Sequence, residues 1–317
     1  MTAYALGLED LGGGCYAYLQ PDGGWGLSNA GLVVSGGESL LVDTLFDLPR
    51  TREMLVAMRR AEPEAAARIG TVVNTHHNGD HCFGNELVEG AEIIASTTAA
   101  AAMRAETPAL LLGYLRAAPQ LGALGEYLIR CFGRFELEGI RQVFPTLTFD
   151  RRLDRTVGDK VVELLEVGPA HTPGDVIVHV PSCRTVFTGD VLFVDSHPIM
   201  WTGPVGTWID ACERILALDV ETVVPGHGPI TDKHGVRALR DYLAHVRDET
   251  TKRYRAGLPA FEAAADIALT DYASWGDAER IVVNVTTIYR ELSGDTTPPD
   301  LAALFAQMER LKRERRL

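Results

Sequence analysis

Residues 72–85, VVNTHHNGDHCFGN, run from a β-branched start into His76, His77, Asn78, Asp80 and His81 within six positions. The apolar start reads as the end of a buried strand, in the segment GTVVN at 70–74, and the polar, glycine-containing run as the loop it enters. Imidazole nitrogens and carboxylate oxygens held together in one loop are the ligand set expected for zinc, and they also suit iron or manganese. The segment therefore reads as one wall of a metal site.

Three further motifs repeat the arrangement downstream. GPAHTPGD (168–175) carries His171, FTGD (187–190) carries Asp190 and VVPGHGP (223–229) carries His227. Each sets one potential ligand in a Gly- or Pro-rich turn beside a β-like run, and glycine there lets backbone approach closely or adopt positive φ. One such histidine is ordinary. Four ligand-bearing turns together point to a metal centre.

Around these turns the chain alternates strand and helix signals. CYAYLQ (15–20), SNAGLVVS (28–35) and SLLVD (39–43), separated by Gly-rich turns, read as an antiparallel meander. Residues 48–61 are helix-like, and EIIA (92–95), LTFD (147–150), KVVELLEV (160–167), VIVHV (176–180), TVFTGD (185–190) and ETVVP (221–225) read as strands, with a helix at about 206–217. Residues 97–141, rich in Ala, Leu and Arg and broken by Pro108 and Pro119, read as two or three helices. From 232 onward the pattern is almost wholly helical. Two β-rich blocks, each followed by helices, suit two sheets packed face to face with helices outside. The expected layout is a domain over 1–230 with a helical insertion at about 97–141, and a helical extension over 231–317 packed on it.

Composition narrows the partners. A formal charge of −13 over 317 residues argues against nucleic acid and anionic membranes, which need clustered Lys/Arg. The one basic run, Arg310 to Arg316, is interrupted by Leu311 and Glu314 and reads as the solvated face of a last helix. No apolar stretch reaches bilayer-spanning length, no secretory signal is visible, and the five scattered cysteines lack CxxC spacing. These features lead to the expectation of free thiols in a reducing cytoplasm.

The ordered set His76, Asp80, His81, His171, Asp190 and His227 resembles the metallo-β-lactamase-fold hydrolase superfamily, whose pattern is His-x-His-x-Asp-His, then a lone His, a bridging Asp and a last His. LLVDT (40–44), with Asp43, resembles that family's early strand, whose Asp is a buried support. The resemblance spans residue 15 to about 230 and implies a four-layer αββα sandwich with metals in a cleft at one edge of the sheets. Carried over, site two is Asp80, His81, His227 and the bridging Asp190. Site one is His76, position 78 and His171, and position 78 is Asn. An amide oxygen is a poorer zinc ligand than imidazole. Site one then holds an ion weakly with Asn78 or water completing it, stands empty, or borrows a neighbour, with His77 and His197 as candidates. Cys82 is expected to pack rather than ligate.

The resemblance implies a hydrolase using one or two zinc ions, or iron or manganese, to turn water into a nucleophile toward an ester, thioester, lactone or amide. Asp80 and Asp190 are expected to orient it, and Asn78, if not a ligand, to face the developing oxyanion. Trp25 in GGWG, Trp201 in IMWTGP and His197 are expected to line a pocket for a small, aromatic or polyketide-like substrate. The insertion, with Tyr114, Tyr127, Phe132 and Phe135, is expected to form either a lid or a homodimer face. Two rivals stand beside this reading: an iron-dependent oxygenase or redox enzyme, and a non-catalytic ligand-binding relic. Metal analysis separates the first, and chelator-sensitive turnover excludes the second.

Overall fold

A computed structural model describes residues 4–315 of the chain; Arg316, the end of the basic run, lies outside the described residues. The chain opens with four antiparallel strands, β1 (Gly7–Gly12), β2 (Cys15–Leu19), β3 (Ala30–Ser35) and β4 (Glu38–Val42). Helix α1 (Leu48–Ala61) follows. Asp47 caps it by accepting from Arg50 N at 3.0 Å, Pro49 suits its first turn, and Thr51, Met54, Leu55 and Met58 form its buried stripe. Strand β5 (Thr71–Val73), the short helix α2 (Gly79–Cys82) and β6 (Glu92–Ser96) come next. The insertion contains α3 (Thr97–Ala102), α4 (Pro108–Ala117) and α5 (Ala123–Phe132), after which β7 (Leu147–Phe149) closes the first sheet. That sheet has the order β1-β2-β3-β4-β5-β6-β7 and is parallel from β4 onward.

The second sheet is built from β8 (Arg152–Val157), β9 (Lys160–Glu166), β10 (Val176–Val180), β11 (Thr185–Phe187) and, after helix α6 (Val205–Ala217), β12 (Thr222–Val224). Its order is β12-β11-β10-β9-β8, antiparallel except for the β11–β12 pair. The rest is helical: α7 (Lys233–Arg255), α8 (Ala260–Asp266), α9 (Ile281–Ser293) and α10 (Leu301–Arg315).

Three apolar clusters define four layers. Leu32, Leu41 and Val72 on one face of the first sheet pack under Met54 and Met58 of α1. Its other face, with Leu40, Val42 and Ile94, meets Val162, Leu164, Val178 and Phe187 of the second sheet. The outer face of the second sheet, with Ile177, Val186 and Val223, is covered by Trp208 and Ile215 of α6 and by the C-terminal helices. Each such side chain contributes roughly 1.5–3 kcal/mol of burial, so the middle interface fixes how the sheet ends meet. The expected αββα sandwich is the observed fold.

Two strands lack a sequence signal. β8 alternates exposed charged residues with partly covered ones, and β1 carries Glu9 and Asp10; both lie at sheet edges, where only one neighbour and little core constrain composition. Of the basic run, Arg310 and Arg313 lie on the solvated face, paired to Glu314 at 2.7 Å and Glu309 at 3.1 Å, whereas Lys312 turns inward to the buried Glu279 at 2.7 Å and Arg315 donates to Ala264 O at 3.2 Å. No helix among the described residues is long and apolar enough to cross a membrane.

Candidate metal centre

The sheets deliver their polar loops to one edge of the sandwich. Asp43 follows β4, His76 follows β5, Asp190 sits in the tight turn after β11, and His227 follows β12. His171 enters from the turn ahead of β10, which runs antiparallel to β11 and so begins at that same edge. Two turns require glycine for close approach. A Cβ on Gly226 would collide with the Asp190 carboxylate, and one on Gly189, whose φ is +49°, would collide with Thr75.

Every inward histidine is anchored through its outer nitrogen. His81 Nδ1 stands 2.9 Å from Asp43 Oδ2, His171 Nδ1 2.6 Å from Ile199 O and His227 Nδ1 3.0 Å from Gly23 O. Thr75 Oγ1 donates to Asp43 Oδ2 at 2.7 Å, leaving its oxygen to accept from His76 Nδ1 at 3.1 Å. Each acceptor places the ring proton on Nδ1 and turns Nε2 inward, the arrangement by which outer partners orient metal-binding imidazoles. Asp43, 2% exposed, is the buried support that its motif suggested.

Asp190 lies at the centre. Its Oδ2 is 3.3 Å from His171 Nε2, 3.4 Å from His227 Nε2 and 3.9 Å from His76 Nε2, and its Oδ1 is 3.1 Å from His81 Nε2. Two groups converge there, His76, His171 and Asp190, and Asp80, His81 and His227, with the donor atoms of each within 4.8 Å of one another. His76 Nε2, His81 Nε2 and Asp190 Oδ1 are buried without a well-aligned hydrogen-bond partner among the described residues. Leaving such groups unsatisfied costs about 1–3 kcal/mol each, and a cation between them satisfies all three. The donor set fits a divalent metal.

The carboxylates favour positive charge at this floor. Burial alone would lower His227, but Asp190 and Asp80 beside it push it up to about 9. His81 is likewise held well above the usual imidazole range by Asp190, Asp43 and Asp80 against the effect of burial. For Asp190, burial would raise the carboxyl; His227, His81 and His171 together hold it well below the usual carboxylate range.

The flanking candidates separate. His77 lines the cavity beside the site but belongs to neither donor group, its Nε2 lying 3.7 Å from Glu106 Oε2. Cys82 packs in the core, its Sγ toward His77 O and Asn78 O at 3.4 and 3.3 Å. His197 is a correction. It is fully buried between Tyr242 and Trp275, with ring centroids 5.2 and 5.8 Å away, and neither joins the donors nor lines the cavity. Burial, with Arg280 nearby, pushes its imidazole down to about 4. The loop signal that suggested it did not reveal that α7 and the residues before α9 cover that loop. Asn78 is also placed differently from the oxyanion role expected of it: its Nδ2 donates to Glu106 Oε2 at 2.8 Å, and its Oδ1 lies 2.8 Å from His171 Nε2.

Above the centre opens a cavity of about 560 Å³. Trp25 and Trp201 both line it, with ring centroids 6.5 Å apart, and Phe305 of α10 lies 5.5 and 6.2 Å from them. Leu111 of α4 and Phe132 of α5 complete the wall, so the insertion covers the cleft together with α10. Arg280, the one Lys or Arg side chain on this lining among the described residues, is paired with Asp277 at 3.0 Å and lies over the Trp25 ring at 4.4 Å. Phe305, Arg280 and Glu106 carry no sequence signal for a site, since each reads as an ordinary helical or loop residue until the fold brings it over the metal turns.

A family model described as the metallo-beta-lactamase superfamily matches residues 23–227. Among solved structures, the stereoselective inverting sec-alkylsulfatase Pisa1 from Pseudomonas sp. superposes with a TM-score of 0.68 at 16% identity, over 93% of this chain and 52% of that one. A double mutant of the same sulfatase gives 0.70 at 16% identity with the same coverage. A metallo-beta-lactamase from Pontibacter korlensis gives 0.56 at 18% identity, over 76% of this chain and 99% of that one. The chain thus spans about half the length of the alkylsulfatase, 52%. No curated protein matches it by sequence.

Proposed function

The chain belongs to the metallo-beta-lactamase superfamily, and on that premise we propose that it is a metal-dependent hydrolase of a small, neutral ester, thioester, lactone or amide bearing an apolar or aromatic group. One observation carries this reading: four imidazoles, each locked through Nδ1, present Nε2 around Asp190 at the floor of an apolar chamber. A divalent cation held there, with zinc the ion best matched to imidazole and carboxylate donors, supplies an acidic water and positive charge toward a carbonyl oxygen.

The chain's own groups do the remaining work. Asp190, facing all four imidazoles, holds the donor set together. Asp80 Oδ2, 3.3 Å from His227 Nε2 and partly open to the chamber, is placed to accept a hydrogen bond from a nucleophilic water. Trp25, Trp201 and Phe305 bury the substrate's apolar group and keep bulk water from the floor. With Asp80 and Asp190 turned to the donor groups and Arg280 already paired, the lining among the described residues offers no unpaired Lys or Arg to an anionic group, which favours a neutral one.

The test is a panel of aryl esters, acyl thioesters and lactones, with secondary alkyl sulfates added because the alkylsulfatase shares the fold. Protein is assayed after dialysis against chelator, and again after zinc is restored, with metal content measured on the same samples. Carbonyl substrates should turn over only in the zinc-restored sample. Turnover of sulfates alone would replace the carbonyl ester by an alkyl sulfate ester as the substrate class; turnover of none by zinc-loaded protein overturns the proposal.

A further inference from the structure

The insertion also reaches down to the metal floor. Glu106, in the loop between α3 and α4, accepts from Asn78 Nδ2 through Oε2 at 2.8 Å and from Gly79 N–H through Oε1 at 2.9 Å. Its own loop is braced from the far side of the insertion, where the Gln142 amide donates to Met103 O and Glu106 O, both at 2.9 Å. We propose that Glu106 is a positioning residue that turns Asn78 into the third ligand of site one, its amide oxygen standing where the family motif has an imidazole.

The argument is one of donors and acceptors. An asparagine amide has two orientations of nearly equal shape, and only its hydrogen-bond partners choose between them. Glu106 Oε1 accepts from Gly79 N–H, and with Oε2 accepting as well the Asn78 nitrogen faces Glu106 and the oxygen faces the metal floor. There it meets His171 Nε2 at 2.8 Å. His171 donates its ring proton through Nδ1 to Ile199 O, so in the neutral ring Nε2 offers a lone pair. Asp190 Oδ2, a third acceptor, lies 3.3 Å from the same Nε2. Three acceptors brought this close repel one another unless a cation lies among them. An amide held by a carboxylate is thus a ligand supported from behind, as metal-binding histidines are.

The reading rests on a metal at this floor but not on the reaction, so its test is metal affinity. Zinc binding is measured by chelator competition on the intact chain, for each ion separately, with circular dichroism as the check on folding. Asn78→Ala and Glu106→Ala should each weaken the site-one ion by roughly 10–100-fold, the scale of losing an outer partner of a ligand. The double variant should lose no more than the worse single one, and the site-two ion should be unchanged throughout. A role-swapping pair separates positioning from mere loop support. Asn78→Asp alone sets two carboxylates face to face and should bind site-one zinc no better than wild type. Adding Glu106→Gln restores the donor toward position 78 while still accepting from Gly79 N–H, and should bring affinity back to or above wild type. If Glu106→Ala leaves site-one affinity within about twofold while Asn78→Ala does not, or if the two losses add fully, Glu106 does not act through Asn78. If neither variant weakens the ion, the amide oxygen is no ligand. If both variants lose both ions, or if the swapped pair fails to recover, the role is structural.

Discussion

The sandwich edge and the helical additions contribute to the same chamber in different ways. The edge supplies charged and imidazole groups on short turns between strands, each fixed by an outer hydrogen bond. The additions supply mostly apolar surface on helices that meet each other over the edge, with α10 packed against α5 and α9. Ligands must be held to fractions of an ångström, and strand ends braced by two sheets can do that. A pocket wall only has to exclude water and match a shape, and helices can be rearranged for that without disturbing the ligands. Chemistry and selectivity are therefore separable in this molecule, apart from Glu106, where an addition touches the metal floor.

The largest expected effect breaks the edge alone. Asp190→Ala removes the group common to both donor sets and leaves His81, His171 and His227 without the carboxylate they face. Both ions and all hydrolytic turnover should be lost, with helical and strand signals retained by circular dichroism. Full metal content in this variant would mean that Asp190 is not the bridging ligand. His227→Ala should then remove the site-two ion, whereas His76→Ala should affect mainly the site-one ion, since site two has its complete donor set on the edge. Equal losses by chelator titration would make the two sites alike and erase that half of the contrast.

An intermediate effect should follow from breaking the additions alone. Phe305→Ala on α10 and Leu111→Ala on α4 each remove apolar wall, and each buried side chain of this size carries roughly 1.5–3 kcal/mol. For a substrate whose apolar group fills the chamber, kcat/KM should fall by roughly 10–100-fold. An acetyl ester that does not reach the wall should change little, and zinc stoichiometry should not change. A matching fall for the acetyl ester would show that the additions govern the floor as well, and that the separation is false.

This division also explains what could be read in advance. A metal ligand is chemically unlike its neighbours, so His76, Asp80, His81, His171, Asp190 and His227 stand out in sequence, and the glycines beside Asp190 and His227 mark where backbone must crowd a carboxylate. The buried strands were equally plain, since residues covered on both faces must be apolar. Edge strands β1 and β8 are free of that demand and were silent. Phe305 and Leu111 are apolar residues on amphipathic helices, and nothing local distinguishes a residue facing a chamber from one facing a core. Glu106 matters only because the insertion folds back 27 and 28 residues onto Gly79 and Asn78. His197 misled for the opposite reason: a loop histidine beside a metal motif is buried by helices that arrive much later in the chain.

The smallest effect sharpens the comparison at the one place where edge and additions meet. Asn78→His would give site one the three imidazoles of the family motif. Imidazole is the stronger donor to zinc, so the site-one ion should tighten by about tenfold, near 1.4 kcal/mol. The new ring would face the Glu106 carboxylate with its other nitrogen, the kind of outer partner already seen for His81 and Asp43. Dependence on the insertion should shrink as well, because an imidazole has no amide orientation to be chosen. Glu106→Ala should therefore cost less site-one affinity in the Asn78→His background than in wild type. Turnover need not rise with affinity, so metal stoichiometry and kcat are measured on the same dialysed samples. Two tightly held ions in wild type, unchanged by Asn78→His, would mean that the amide already serves site one as well as an imidazole does.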